Sequence, residues 1–303
     1  MENLSKLLFE LSNEDRLRIL QHIDREAMNV TNLSKALGLT TQECSRHLSR
    51  LGEVGLAKKD IEGLHRIGPF GKVVLKLLLG LRFVSGHSDY FTAHSLERLP
   101  PEFTSRIGDL AHSTHVKDVM AAFYNVDRVF EEAREHIWVI TDQWLLGTWV
   151  PLTTRAIERK VKVKHLEPED RVVPPKIKEG FRAEDLEAAR RGRVTGLLEE
   201  RVLDRLDICL YMSEKEVAGV AFPLLDGSFD YLGFTATDER SRKWCGDLFQ
   251  YYWERARNRA KVAEELYRWV TETPKASYVL KNIAAGNEIV DGEELISELE
   301  SRS

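Results

Sequence analysis

Apolar residues recur at helical spacing through the first 53 residues and predict four helices separated by short polar breaks. The first two cover 4–11 and 14–24, the second with Leu17, Leu20 and Ile23 on one stripe. Ser12 stands three residues before Asp15, the spacing of a capping box with Asp in place of Glu or Gln. A third helix is predicted over 31–37, with Leu33, Ala36 and Leu37 inward. Gly38 permits a sharp turn, and Thr40 with Glu43 predicts a capping box opening a fourth helix over 41–53. Cys44, Leu48 and Leu51, at i, i+4 and i+7, anchor that helix to the domain.

The period then changes. Two extended segments, 55–60 and 64–67, joined by Ile61-Glu62-Gly63, predict a hairpin. Pro69 opens a helix running to 84. Residues 85–106, rich in His and Ser and broken by Leu99-Pro100-Pro101, read as a connector, and 116–135 is again helical. The apolar run 137–141 predicts a buried strand, 145–159 a helix and 161–166 an alternating strand, together a βαβ unit with a right-handed crossover. A loop over 171–180, a charged surface helix over 182–193, strands at 207–212, 216–222 and 228–236, and a long helix over 238–270 complete the reading. The fold class is therefore multi-domain: a winged-helix (α+β) domain over 1–84, a helical connector and dimerisation region over 85–135, an α/β sensor domain over 136–270, and an acidic tail over 271–303.

Composition changes this picture only locally. The chain of 303 residues is 43% hydrophobic and 31% charged, ordinary for a globular protein, and carries a net charge of -5. Residues 31–60 nevertheless hold five Lys/Arg against three acids, about +2. If Cys44, Leu48 and Leu51 face inward, Gln42, Ser45, Arg46, Ser49 and Arg50 face outward, with Thr41 at the helix start. Short polar groups and guanidiniums suit base edges and phosphates when a helix lies in the major groove. The hairpin adds Lys58, Lys59, His65 and Arg66, placed to reach the flanking backbone. Double-stranded DNA is the partner this pattern predicts; the competing reading is a merely solvated helix face.

The three cysteines, Cys44, Cys209 and Cys245, form no CxxC pair, which argues against a zinc knuckle or redox dithiol and fits a reducing, cytoplasmic setting. The N-terminus shows no signal-peptide pattern, and the apolar stretch 73–84 is interrupted by Lys76 and Arg82, so no membrane association is expected.

Residues 11–20, with Ser45-Arg46-His47-Leu48-Ser49-Arg50-Leu51 and Gly55-Leu56, resemble the ArsR-like winged-helix repressors. Gly68-Pro69-Phe70-Gly71, Ser88-Asp89-Tyr90-Phe91, Leu99-Pro100-Pro101-Glu102-Phe103 and Arg106-Ile107-Gly108-Asp109-Leu110 resemble archaeal regulators of the methanogenesis-regulator (Fil-type) family. The resemblance, reaching to about residue 257, implies a transcription regulator and supplies no ligand. Metal-sensing ArsR-like proteins use closely spaced cysteines; here Cys44 stands alone at an inward position and reads as a small buried hydrophobe.

Residues 116–270 resemble the phospholipase-D-like fold used by some archaeal sugar-responsive regulators. Active members of that fold need a His-x-Lys pair with an Asp five residues beyond the Lys. His115-Val116-Lys117 is the one His-x-Lys, and Ala122 occupies the Asp position, so no phosphodiesterase chemistry is expected. His112 and His115 with Asp118, and His87, Asp89 and His94, read as polar surface rather than metal sites; no catalytic residue, metal or cofactor is expected.

In an open α/β sheet, ligands lie beyond the carboxyl ends of strands. Asp142, Gln143 and Trp144 stand at such an end, Trp149 follows on the helix behind, and His165 leaves the neighbouring strand on the same edge. These five are the candidate ligand residues, against the alternative that Asp142 caps a helix and the tryptophans are core. The expected protein is a homodimeric, DNA-binding regulator whose C-terminal domain senses a small-molecule effector. The rivals are a signalling-protein input, such as a histidine kinase, and an enzyme fused to a DNA-binding domain.

Overall fold

The structure, a computed structural model, describes residues 2–143, 149–169 and 183–258. The chain forms two compact units. The first comprises Met1–Phe91 with Thr104–Ala111, the second Thr92–Phe103 and the chain from His112 onward.

The first unit opens with helices α1 (Glu2–Leu11), α2 (Glu14–Arg25), α3 (Val30–Leu37) and α4 (Thr41–Glu53). Strands β1 (Ala57–Lys59) and β2 (His65–Ile67) follow as an antiparallel hairpin, and α5 (Pro69–Gly86) completes the run. Leu20, Ile23, Leu33, Cys44, Leu48, Leu51 and Leu56 form its core. Each fully buried Leu contributes roughly 1.5–3 kcal/mol, which explains why these short helices hold together. Two local expectations are corrected. The cap of α2 is Asn13, whose side chain accepts from the Arg16 amide at 3.0 Å, while the Ser12 hydroxyl donates back to the Phe9 carbonyl. On α3, Ala36 is exposed and Ser34 is buried instead, its hydroxyl satisfied by the Thr31 carbonyl.

The expected connector, 85–135, divides between the two units. A 3-10 turn at Ile107–Leu110 packs on α5. A Cβ on Gly108 would lie 2.6 Å from the Gly80 amide nitrogen and 2.8 Å from Leu79 Cβ, so only glycine permits this approach. Gly108→Ala should therefore lose about 1–3 kcal/mol through overpacking, read as a fall in calorimetric melting temperature. An unchanged melting temperature would show that the turn gives way without loss.

Among the described residues, the second unit contains an eight-stranded mixed sheet. Its strands are β3 (Thr114–Val116), β4 (His136–Ile140), β5 (Lys162–Pro168), β6 (Leu198–Leu203), β7 (Cys209–Ser213), β8 (Val217–Ala221), β9 (Gly233–Ala236) and β10 (Arg257–Asn258). Their order is β10-β6-β5-β4-β7-β8-β9-β3, with β4, β5 and β6 mutually parallel and the rest antiparallel. Helices α8 (Val119–Glu132), α9 (Trp149–Glu158) and α10 (Ala183–Thr195) pack on one another and on the sheet. Two shorter helices, α6 (Ser88–Ala93) and α7 (Pro101–Thr104), precede them. Helix α11 (Glu239–Arg255) lies against the opposite face, where Phe249 stacks on Trp138 at 4.9 Å and on Trp253 at 5.6 Å. The expected βαβ unit is β4-α9-β5.

Three further differences have physical reasons. The helix expected from 116 starts at Val119, because His115 and Val116 pair with Phe234 and Gly233 as an edge strand. Strand β6 was hidden behind Glu199, Glu200 and Arg201, which look like surface. In the fold Glu200 is bridged by Arg193, and Arg201 lies over the Trp253 ring while donating to its carbonyl. The helix expected over 238–270 ends at Arg255, because Ala256 turns extended and Arg257 and Asn258 pair with β6 as an edge strand; the predicted loop at 171–180 and the tail lie outside the described residues.

Candidate functional site

The α3–α4 pair is built by its turn. Gly38 caps α3 in the left-handed conformation, φ 71°, and its amide donates to the Ser34 carbonyl. Thr40 then opens α4 with a complete capping box: its hydroxyl accepts from the Glu43 amide at 3.2 Å, and the Glu43 carboxylate accepts from the Thr40 amide at 3.0 Å and from its hydroxyl at 2.7 Å. The Thr40 hydroxyl, donating to Glu43, holds that carboxyl below its ordinary pKa.

Cys44, His47, Leu48 and Leu51 point inward. Burial pushes the Cys44 thiol up, as suits an inert core position. Thr41, Gln42, Ser45, Arg46 and Ser49 are exposed. Among the described residues Arg46 has no ion pair. Arg50 differs: its Nη2 donates to Glu10 Oε1 at 2.6 Å, and Glu10 is itself buried and paired with Arg16 at 3.2 Å. Arg50 therefore ties α4 to α1, a connection invisible at a separation of 40 residues.

In the hairpin, Asp60 organises the tip by accepting from the Glu62 and Leu64 amides at 3.0 and 2.9 Å, and it takes the Arg66 guanidinium. That donation from Arg66 holds the Asp60 carboxyl low. Strand β2 also bonds Met28 through both backbone groups of His65, so the wing is stitched to the segment before α3. Lys58 and Lys59 are exposed cations. His65 is half-buried, and burial, with Lys59 beside it, pushes its pKa down, so it adds no charge near neutral pH.

His47 is kept neutral in the same way, first by burial and then by the Arg16 charge. A histidine whose folded pKa is depressed stabilises fully above its unfolded value of about 6.5 and loses that contribution as pH falls through the folded pKa. The melting temperature should fall as pH drops from about 7 to about 5, and His47→Gln should flatten part of that slope. Parallel slopes in the two proteins would remove His47 from the acid response.

At the carboxyl end of β4, Thr141 is fully buried and its hydroxyl accepts from Tyr211 at 2.8 Å and from the Gln143 amide at 3.1 Å. Tyr231, in the left-handed region with φ 61°, donates its hydroxyl to Asp142 at 2.9 Å and accepts from the Gln143 side-chain amide. Two of the sequence-derived ligand residues, Asp142 and Gln143, are thus brought together by a tyrosine that lay about 90 residues away and carried no local signal. Gln143, Tyr211 and Tyr231 line a cavity of about 480 Å³, mouth included, between α8 and the sheet. His165 is buried on β5 with Nδ1 3.9 Å from Glu167 and does not line it. Trp144 and the side chain of Trp149 lie outside the described residues. No cluster able to hold a metal occurs among the described residues, and none of their helices is long and apolar enough to cross a membrane.

A family model described as a helix-turn-helix domain matches residues 11–60. No curated protein matches the chain. Among solved structures, the archaeal chromatin protein TrmBL2, in a structure described as showing a novel mode of DNA binding, is 17% identical, covering 81% of this chain and 94% of that one at a TM-score of 0.38. A homodimeric winged helix-turn-helix DNA-binding domain, Mb0332 from Mycobacterium bovis, described as a possible ArsR-family transcriptional regulator, is 22% identical over 30% of this chain and 82% of that one, TM-score 0.25. The phospholipase D family member Nuc from Salmonella typhimurium is 12% identical over 45% and 89%, TM-score 0.33. Such scores carry no weight for function, which rests on the geometry and the family match. These two agree: the N-terminal unit contains a helix-turn-helix domain, and the matched residues include α3, its turn and α4.

Proposed function

We propose that the chain is a cytoplasmic, non-enzymatic transcription regulator that binds double-stranded DNA through α4 and the β1–β2 wing and takes its signal through the second unit. The observation that carries this is α4 itself: a capped helix with its apolar side in the core and Thr41, Gln42, Ser45, Arg46 and Ser49 exposed along the other side. Lys58 and Lys59 supply backbone contacts from the wing; Arg66 shares its charge with Asp60, and His65 serves the wing's structure.

The DNA-binding form is a homodimer. Phe70, Val73, Leu77 and Leu81, spaced along one side of α5, are 48–70% exposed, and Leu4 and Leu8 on α1 are also exposed. An apolar stripe of this kind marks an interface, and two-fold pairing doubles a short half-site. Light scattering at micromolar concentration should give twice the monomer mass, and Leu77→Glu with Leu81→Glu should halve it and weaken binding to footprinted promoter DNA. A wild-type monomer, in solution and on DNA, would refute the dimer.

The effector site is the cavity between α8 and the sheet. Ala122 standing where a phosphodiesterase would need Asp agrees with a binding role. The archaeal Fil-type resemblance fits the same reading.

A further inference from the structure

We propose that the cavity takes a small, uncharged, planar molecule with one hydrogen-bonding end, of the phenol or indole type. This rests on the sensor reading above and specifies its ligand.

The cavity exists because residues on its two walls are small. Helix α8 presents Ala122 beside Phe123 and Val126, and β8 presents Ala218, Gly219 and Ala221. The pairing of β7 with β8 shifts register between Tyr211 and Met212, a bulge that brings neighbouring β8 residues to the same wall. A Cβ built on Gly219 meets nothing within 4 Å, so the missing side chain is space given to the cavity. The resulting slot holds about 480 Å³ of empty space, its open mouth included. Phe123, Tyr211 and Tyr231 are its large side chains, and aromatic surface along a helix–sheet slot favours a flat ring.

Charge decides the class. None of the twelve described residues that line it is Lys, Arg, His, Asp or Glu. An anion or a cation entering would shed its hydration without a counter-charge, while a neutral ring loses little. The Asp142 carboxylate is outside the lining and accepts a hydrogen bond from the Tyr231 hydroxyl at 2.9 Å. The polar end of the ligand meets a fixed pair instead: the Gln143 amide and the Tyr231 hydroxyl, held by their bond to each other and by Asp142.

Ligand-observed fluorine NMR on the full chain, with 4-fluorophenol, 4-fluorobenzoate and 4-fluorobenzylamine as matched neutral, anionic and cationic probes, tests the class. The phenol should broaden and the other two should not. Gly219→Leu from the sheet side and Ala122→Phe from the helix side should each weaken the phenol by about tenfold or more, by filling the slot. A circular-dichroism melt selects the folded variant if one fails. Equal binding of the charged probes overturns the ligand class, and phenol binding that is absent, or unchanged in a folded filled variant, overturns the site. DNA affinity measured with and without 4-fluorophenol separates the two readings. Phenol bound at the slot with DNA affinity unmoved removes the sensor role and leaves the ligand class standing. A DNA response to 4-fluorobenzoate alone keeps a sensor and removes the class.

Discussion

Arg46→Ala should weaken binding to promoter DNA by about 1–3 kcal/mol, roughly 5- to 150-fold, and leave the melting temperature where it was. The side chain is exposed on the polar side of α4, and among the described residues it has no ion pair to lose. Arg50→Ala should behave differently despite the similar residue type and the same helix. Removing it takes one of two guanidiniums from the buried Glu10 carboxylate and loosens α1 from α4, so both affinity and melting temperature should fall. Because Arg50 is itself 43% exposed, solvent screening keeps the stability loss small. Lys58→Ala should lower affinity more evenly across sequences and flatten its salt dependence, as a phosphate contact does. Gel-shift titrations at two salt concentrations, beside circular-dichroism melts, separate the three. An Arg46→Ala protein that binds as tightly as wild type would show that α4 does not read DNA.

Much of the first unit was legible in the sequence, because its signals are local. Thr40 and Glu43 lie three residues apart, Gly38 sits where a left-handed cap is required, and Cys44, Leu48 and Leu51 keep helical spacing. What the sequence concealed depends on distant pairings. Nothing near Arg50 in the chain revealed its tie to Glu10, and nothing in the hairpin pattern revealed that Arg66 pairs with Asp60. In the second unit β6 was lost because its charged residues find partners only in the folded sheet, and β3 because a three-residue edge strand carries too little pattern. The cavity was half legible. A strand end pointed to Asp142 and Gln143, but Tyr231 and the small residues of β8 lie in a different hairpin, and the slot emerges only when α8 covers the sheet. His165 followed the same strand-end logic and instead became part of a buried pair with Glu167.

Trp244→Ala should be the most damaging single truncation in the second unit, at about 3–5 kcal/mol. Trp244 on α11 is fully buried. Its ring meets Phe103 edge-on at 5.9 Å and Phe222 at 6.4 Å, and its indole N–H donates to the Phe103 carbonyl at 3.2 Å. Truncation therefore removes a large packed volume and also strips a carbonyl of its donor, two costs that add. Trp244→Phe keeps most of the ring and loses the hydrogen bond, so it should cost only about 1–2 kcal/mol. The distribution of tryptophan makes the measurement specific. All six, at 138, 144, 149, 244, 253 and 269, follow residue 111 in the chain, so none belongs to the first unit. Urea unfolding followed by tryptophan fluorescence thus reports the second unit, while far-ultraviolet circular dichroism reports both. Trp244→Ala should move the fluorescence midpoint to much lower urea, with Trp244→Phe in between. A fluorescence midpoint equal to wild type in the alanine variant would mean that α11 does not hold the sheet through this residue.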